Sequence, residues 1–241
     1  MTHSADIFGL AFHDYLEGHT RENILVDMNI TDTELLPVSY FFRDYEQMPE
    51  WEQQTLDVCR GTVLDVGAGA GSHALSLKQK GIDVTAIDVS PGAVACMQKR
   101  GITKALVKDF FEFQEEKYDT ILFLMNGAGM AKTLDKLKDL LLHAASLLTP
   151  QGNIYLESTD LLYMFEEDDG SVLIDLAGDY YGEIVYQLQY KQYKGEPFKW
   201  LFVDYGNLSN VASLAGLNCE LFYRGENDNY IARLWLPWDR N

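Results

Sequence analysis

From Thr62 onward the chain alternates short apolar runs with segments of helical periodicity, and this alternation limits the possible folds more than any other feature. "TVLDV" reads as a strand, Ser72 to Lys80 as a helix closed by Gly81, "IDVTAID" as a strand, and Pro91 to Arg100 as a helix with proline in its first turn. "KALVKD" and "YDTILFLM" continue as strands, Lys132 to Leu148 as an amphipathic helix ending before "TPQG", and "GNIYLES" as a further strand. Strands that alternate with helices call for a parallel sheet covered on both faces and wound by right-handed crossovers. The predicted class is therefore α/β, with a doubly wound, mostly parallel sheet.

Beyond Ser158 the rhythm changes. "EIVYQLQYKQYKGEPFKWLFVDY" alternates with period two around the turn signal "YKGEP", placing Ile184, Tyr186, Leu188 and Tyr190 on one face of an inserted β-hairpin. "NLSNVASLAG" reads as a helix with Asn207 at its N-cap, and "LNCELFYRGENDNYIARLWL" as two strands around Gly225. The first 60 residues lie outside the repeating pattern and read as mainly helical. The expected organisation is an N-terminal helical cap over residues 1–60 and a core over 61–241, with the hairpin inserted at about 160–205.

The turn after the first regular strand, "GAGAGS", places Gly67, Gly69 and Gly71 at alternate positions before a helix start. Glycines let the backbone turn tightly and let a ligand approach, and a helix start offers free N–H groups. Asp88 ends the next strand, about 20 residues after the first glycine, where a carboxylate can accept from both hydroxyls of a ribose. The corner is thus expected to bind a nucleoside-bearing cofactor.

Asp65 stands inside the strand, and the glycine spacing is G-x-G-x-G rather than the dinucleotide fingerprint G-x-G-x-x-G. In these residues the chain resembles the class I S-adenosylmethionine-dependent methyltransferases. "AIDVSPGAV" is similar to their ribose-binding motif, "KDFFEF" to the adenine-contacting one, and "YDTILFLMNG" and "LLTPQGNIYLE" to the fourth and fifth strands. The resemblance implies a seven-stranded Rossmann-like sheet whose last strand is antiparallel, with S-adenosyl-L-methionine as cofactor. It further implies that Gly67, Ala68, Gly69 and Gly71 run beneath the methionine portion, that Asp65 helps to hold its ammonium group, and that Asp88 takes the ribose hydroxyls. Val89 would press on the adenine, Asp109 accept from its amino group and Phe110 donate its N–H to a ring nitrogen. Asn126 and Gly127 would border the sulfonium and the methyl acceptor.

In the cap, "PVSYFFRDYEQMPEW" gathers Tyr40, Phe41, Phe42, Arg43 and Tyr45. Tyr40 and Arg43 are candidates for the cofactor, Arg43 through the methionine carboxylate or an acidic substrate, while the aromatics also suit docking of the cap. Tyr163, Trp200 and Tyr205 border the inserted hairpin and are candidates for the acceptor pocket. No catalytic base is identified: His73 reads as packing at a helix start, His143 as a surface or packing residue of an amphipathic helix, and His13 and His19 as exposed. Methyl transfer by in-line displacement requires no covalent nucleophile, so the lack of a triad carries no information.

Lysine and arginine total 19 against 37 aspartates and glutamates, a formal net charge of -18, which opposes binding to phosphate backbones and anionic membranes. "MNGAGM" also departs from the Asn/Asp-Pro-Pro-aromatic pattern of methyltransferases that act on exocyclic base nitrogens. A small-molecule acceptor is expected, with neither nucleic acid nor membrane as partner. The three cysteines, Cys59, Cys96 and Cys219, form no C-x-x-C, so no metal site is expected and a cytoplasmic setting fits. A non-catalytic S-adenosylmethionine-binding module and an NAD(P)-dependent oxidoreductase remain the alternatives. The acceptor's identity and the oligomeric state are left open.

Overall fold

A computed structural model of the chain describes residues 5–19, 21–114, 116–167, 169–174 and 177–237. The first elements are α1 (Ile7–Leu16), β1 (Asn23–Met28), β2 (Thr31–Pro37), α2 (Glu50–Val58), β3 (Thr62–Val66), α3 (Ser72–Gln79), β4 (Asp83–Asp88), α4 (Pro91–Lys99) and β5 (Ala105–Val107). There follow β6 (Tyr118–Phe123), α5 (Leu134–Ser146), β7 (Leu148–Thr159), β8 (Glu183–Tyr190), β9 (Tyr193–Lys194), β10 (Phe198–Leu201), α6 (Tyr205–Leu214), β11 (Asn218–Arg224) and β12 (Asn229–Trp235). A seven-stranded sheet has the order β11-β12-β7-β6-β3-β4-β5. Pairing is parallel between β3 and β4, β4 and β5, and β6 and β7, whereas β12 runs antiparallel to both β7 and β11. The mostly parallel sheet is the one that the alternating pattern calls for, and its reversed last strand is the one that the resemblance implies.

The chain divides into two units, residues 1–115 with Val185–Phe198, and residues 116–184 with Lys199–Asn241. In the first, β3 and β4 bury Val63, Leu64, Val66, Val84, Ala86 and Ile87, and α3 and α4 bury Ala74, Leu77, Val94 and Met97. In the second, α5 buries Leu137, Leu140, Leu141 and Ala144, a spacing of three and four residues that forms one helical stripe.

The N-terminal segment, expected to be mainly helical, contains α1 and α2 but also a β-hairpin. β1 pairs with β2 on one side and with β8 on the other, giving a second sheet in the order β10-β8-β1-β2. Its buried residues Ile24, Val26, Leu188 and Tyr190 pack with Ile7, Ala11 and Phe12 of α1 in one cluster. The inserted hairpin turns at Lys191 and Gln192 rather than at "YKGEP", with Tyr190 opposite Tyr193 and Lys191 at φ 53°. Ile184, Leu188 and Tyr190 are buried and Tyr186 half-buried, on the face that the alternation marks out. α5 begins at Leu134 rather than Lys132, whose φ of 68° is not helical. α6 is capped by Asp204, which accepts from Asn207 N–H at 2.9 Å, so Asn207 lies in the first turn instead of at the cap.

Candidate functional site

The strand β3 delivers the chain into a turn in which Gly67, Gly69 and Gly71 have φ of 68°, 55° and 83°, all left-handed. Gly71 is the N-cap of α3. Gly67 and Ala68 both donate their N–H to the carbonyl of Ile87 on β4, at 2.9 and 3.1 Å. Asp88, the next residue, accepts from Gly69 N–H at 2.9 Å through Oδ2 and from Ser90 N–H at 2.9 Å through Oδ1. Burial pushes the Asp88 carboxyl above its ordinary range, against the pull of these amide donors. The glycine turn and the end of β4 are therefore one hydrogen-bonded structure with a carboxylate at its centre.

Asp65 lies beneath this turn, 2% exposed, and its Oδ2 has no hydrogen-bond partner. Burial raises its carboxyl, with the charge of His73 and the N–H of Ala74 acting the other way. A buried carboxylate oxygen without a donor is costly by itself and is well matched to a ligand that brings an ammonium group. Beside it is a second polar group: Arg43 Nη2 donates to both oxygens of Glu52 at 2.9 and 3.0 Å, and Glu52 Oε2 stands 2.8 Å from His73 Nε2. Arg43 Nε also donates to Tyr40 O at 2.8 Å, and its guanidinium lies 3.7 Å from the centre of the Tyr40 ring. The structure thus joins Arg43 to Glu52, an assignment that the sequence reading lacks. Burial opposes charge on Glu52 and His73, yet each holds the other ionised, so Glu52 is lowered and His73 raised.

At the ends of β4 and β5, Val89 is 67% exposed, and Val107 and Phe111 are exposed as well, an apolar strip fit for a planar ring. Asp109 caps the short turn after β5, its Oδ1 accepting from Phe111 N–H at 2.9 Å, and Phe110 is buried behind it. Phe12 and Phe41 face Gly69, each 3.8 Å from where a Cβ would stand, and Ser72 Oγ donates to Phe41 O at 2.7 Å. The aromatics of "PVSYFFRDYEQMPEW" therefore dock onto the glycine turn through Phe41. Asp6, which carries no local signal in the sequence, caps α1 by accepting from Gly9 N–H and also accepts from Ser90 Oγ and Gly92 N–H. Gly9 and Gly92 bring the two helix starts into close approach.

In the second unit β6 runs into a left-handed pair, Met125 and Asn126, at φ 55° and 57°. Glu157 on β7 accepts from Met125 N–H at 2.7 Å, and Thr159 Oγ1 donates to Asn126 Oδ1 at 2.9 Å, which together hold this strained backbone. Gly127 opens a 3-10 turn against Phe123. Trp200 lies on Gly129, and a Cβ there would collide with the indole ring. Gly129→Ala is expected to cost about 1–3 kcal/mol by overpacking a rigid ring, measured by chemical denaturation; a neutral result would mean that the Trp200 ring moves freely. Tyr163 is 52% exposed on a 3-10 turn. Tyr205, by contrast, packs edge-on against Tyr230 and bonds to Cys219, a packing role. His13 and His19 are exposed, and His143 lies half-buried on α5.

The chain is similar to known proteins in sequence and fold. The methyltransferase-domain family matches residues 63–152. An S-adenosylmethionine-dependent methyltransferase from Bacteroides fragilis, solved with S-adenosyl-L-homocysteine, is 39% identical, with 96% of this chain and 94% of that one covered and a TM-score of 0.89. The CcbJ methyltransferase of Streptomyces caelestis, 13% identical over 80% of this chain and 92% of its own, shares the fold with a TM-score of 0.59. Demethylmenaquinone methyltransferase of Tropheryma whipplei is 30% identical over 97 residues, which span 38% of this chain and 39% of that protein's length.

Proposed function

Because this chain belongs to the S-adenosylmethionine-dependent methyltransferase family, we propose that the acceptor of its methyl group is a small molecule. The enzyme's cofactor is S-adenosyl-L-methionine. The observation that carries our assignment of the cofactor site is the unpartnered Oδ2 of Asp65 beneath the left-handed glycine turn. There Gly67, Ala68, Gly69 and Gly71 would hold the methionine portion with their backbone, and Asp65 would take its ammonium group. Asp88, its two oxygens already oriented by Gly69 and Ser90, accepts from the ribose hydroxyls. Val89 would hold the adenine face, and Asp109 and the Phe110 N–H would hold its edge. Tyr40 and Arg43 remain candidates for the cofactor, Arg43 being held by the Tyr40 carbonyl and by Glu52.

When bound, the cofactor supplies an electrophilic methyl carbon on a sulfonium, and transfer is an in-line displacement governed by alignment and exclusion of water. In the second unit Asn126, Gly127, Tyr163 and Trp200 are the proposed contacts on the acceptor's side. The Thr159 bond to Asn126 Oδ1 leaves the amide nitrogen of Asn126 as the group that donates. The net charge of -18 supports a small molecule over a polyanionic acceptor. The likeness to demethylmenaquinone methyltransferase extends over only 38% of the chain and carries no acceptor across. The free cysteines Cys59, Cys96 and Cys219 are in keeping with a cytoplasmic setting, and among the described residues no helix is long and apolar enough to cross a membrane.

Calorimetry with S-adenosylmethionine, S-adenosylhomocysteine and NAD, followed by labelled-methyl turnover on metabolites and on nucleic acid, tests the proposal. Binding of both sulfur cofactors with turnover on a metabolite is expected. Turnover on DNA or RNA alone would overturn the small-molecule reading, and cofactor binding without any turnover would favour a binding module.

A further inference from the structure

Arg43, Glu52 and His73 form a buried ionic group next to Asp65 that ligand contact alone does not explain. The four side chains come from separate elements: Arg43 from the segment before α2, Glu52 from α2, Asp65 from β3 and His73 from the first turn of α3. The Glu52 side chain is 1% exposed, that of His73 7% and that of Arg43 11%. With Arg43 and His73 as cations and Glu52 and Asp65 as anions the group is neutral. With a neutral imidazole the group stays neutral only if Asp65 takes up a proton, since an ionised Asp65 would then leave a net negative charge out of reach of water. The residue after His73, Ala74, donates its N–H to Asp65, so the imidazole and the Asp65 carboxylate are held by adjacent residues of one helical turn.

We propose that His73 is a positioning residue for the cofactor: held as an imidazolium by Glu52, it keeps Asp65 ionised and thereby able to take the ammonium group. This rests on the reading of the glycine corner as the cofactor site. The charged and titratable groups facing the pair agree with it. Glu52 and Asp65 favour the charge on His73 and Arg43 opposes it. Asp88 and Glu52 repel charge on Asp65, leaving His73 as the cation that acts on it. Cys59, pushed up to about 12 by burial, stays a neutral thiol.

The test is S-adenosylhomocysteine calorimetry between about pH 5 and 8 on the wild type and on His73→Gln, with imidazole nitrogen NMR of the wild type. Binding needs the Asp65 carboxylate, so affinity falls as pH drops through its titration. Removing the neighbouring cation raises that titration. The acid limb of the variant is therefore expected to lie about one pH unit higher, with about tenfold weaker binding on the limb and convergence at alkaline pH. A folded variant whose limb coincides with that of the wild type overturns the proposal. If His73→Gln does not fold, the NMR decides: both ring nitrogens of His73 protonated at neutral pH support the proposal, and a neutral ring overturns it. A wild type that binds no S-adenosylhomocysteine while His73 is doubly protonated would instead overturn the reading of the corner as the cofactor site, and the proposal with it.

Discussion

Glu52→Ala is expected to destabilise the protein by about 3–5 kcal/mol, because it leaves Arg43 and His73 as buried cations without their common anion. Glu52 accepts from Arg43 through both oxygens and meets His73 at 2.8 Å, so three interactions disappear at once. The loss is dominated by the uncompensated charge, and Glu52→Gln, which keeps volume and one acceptor, should fall between the wild type and the alanine variant. Urea denaturation at neutral pH measures both. A loss for alanine below about 1 kcal/mol would equate the pair with a surface ion pair and deny it a structural role.

Asp88→Ala should weaken S-adenosylhomocysteine binding by about 1.5–3 kcal/mol, on the order of tenfold to a hundredfold, since charge-assisted bonds to two hydroxyls would be lost. Its sequence position alone suggests a surface carboxylate whose removal leaves the fold untouched. The structure adds that Asp88 ties Gly69 to Ser90 by accepting a hydrogen bond from the backbone N–H of each, so a stability loss of about 1 kcal/mol should accompany the loss of affinity. Calorimetry and thermal unfolding read the two effects separately. Full affinity in the alanine variant would remove Asp88 from the cofactor site.

The parts of this molecule that sequence makes legible are those whose cause is local. β3, α3, β4 and α4 are apolar runs and helical stripes bounded by glycine or proline, and each boundary falls within a residue or so of its expected place. The glycine corner and Asp88 are legible for the same reason, since their spacing along the chain is their geometry. The β1–β2 hairpin is not, because β2 is almost wholly exposed and presents no alternation to read. Glu52 looks like any acidic residue in the first turn of a surface helix until His73, 21 residues on, is folded against it. Asp6 is hidden in the same way, its partners Ser90 and Gly92 being 84 and 86 residues distant. The displaced turn at Lys191 follows from a different cause: the Leu188 carbonyl accepts from Gly195 N–H, which sets the register of the hairpin ahead of the glycine-proline signal.

The strand β1 has one further effect, on the order in which the chain can acquire its structure. Its partner on one side is the neighbouring β2, but on the other it is β8, with Val26 opposite Leu188, and Asp14 beside it holds Tyr190 across 176 residues. During synthesis β1 and β2 can therefore pair with each other, but the other edge of β1 has no strand to close it until β8 has been made. Pairings of such separation are slow to form, and an unpaired edge in the interval is a template for other chains. The burden of protecting a nascent chain of this protein falls on the open edge of β1, and truncated products that stop short of β8 should be the ones that chaperones retain.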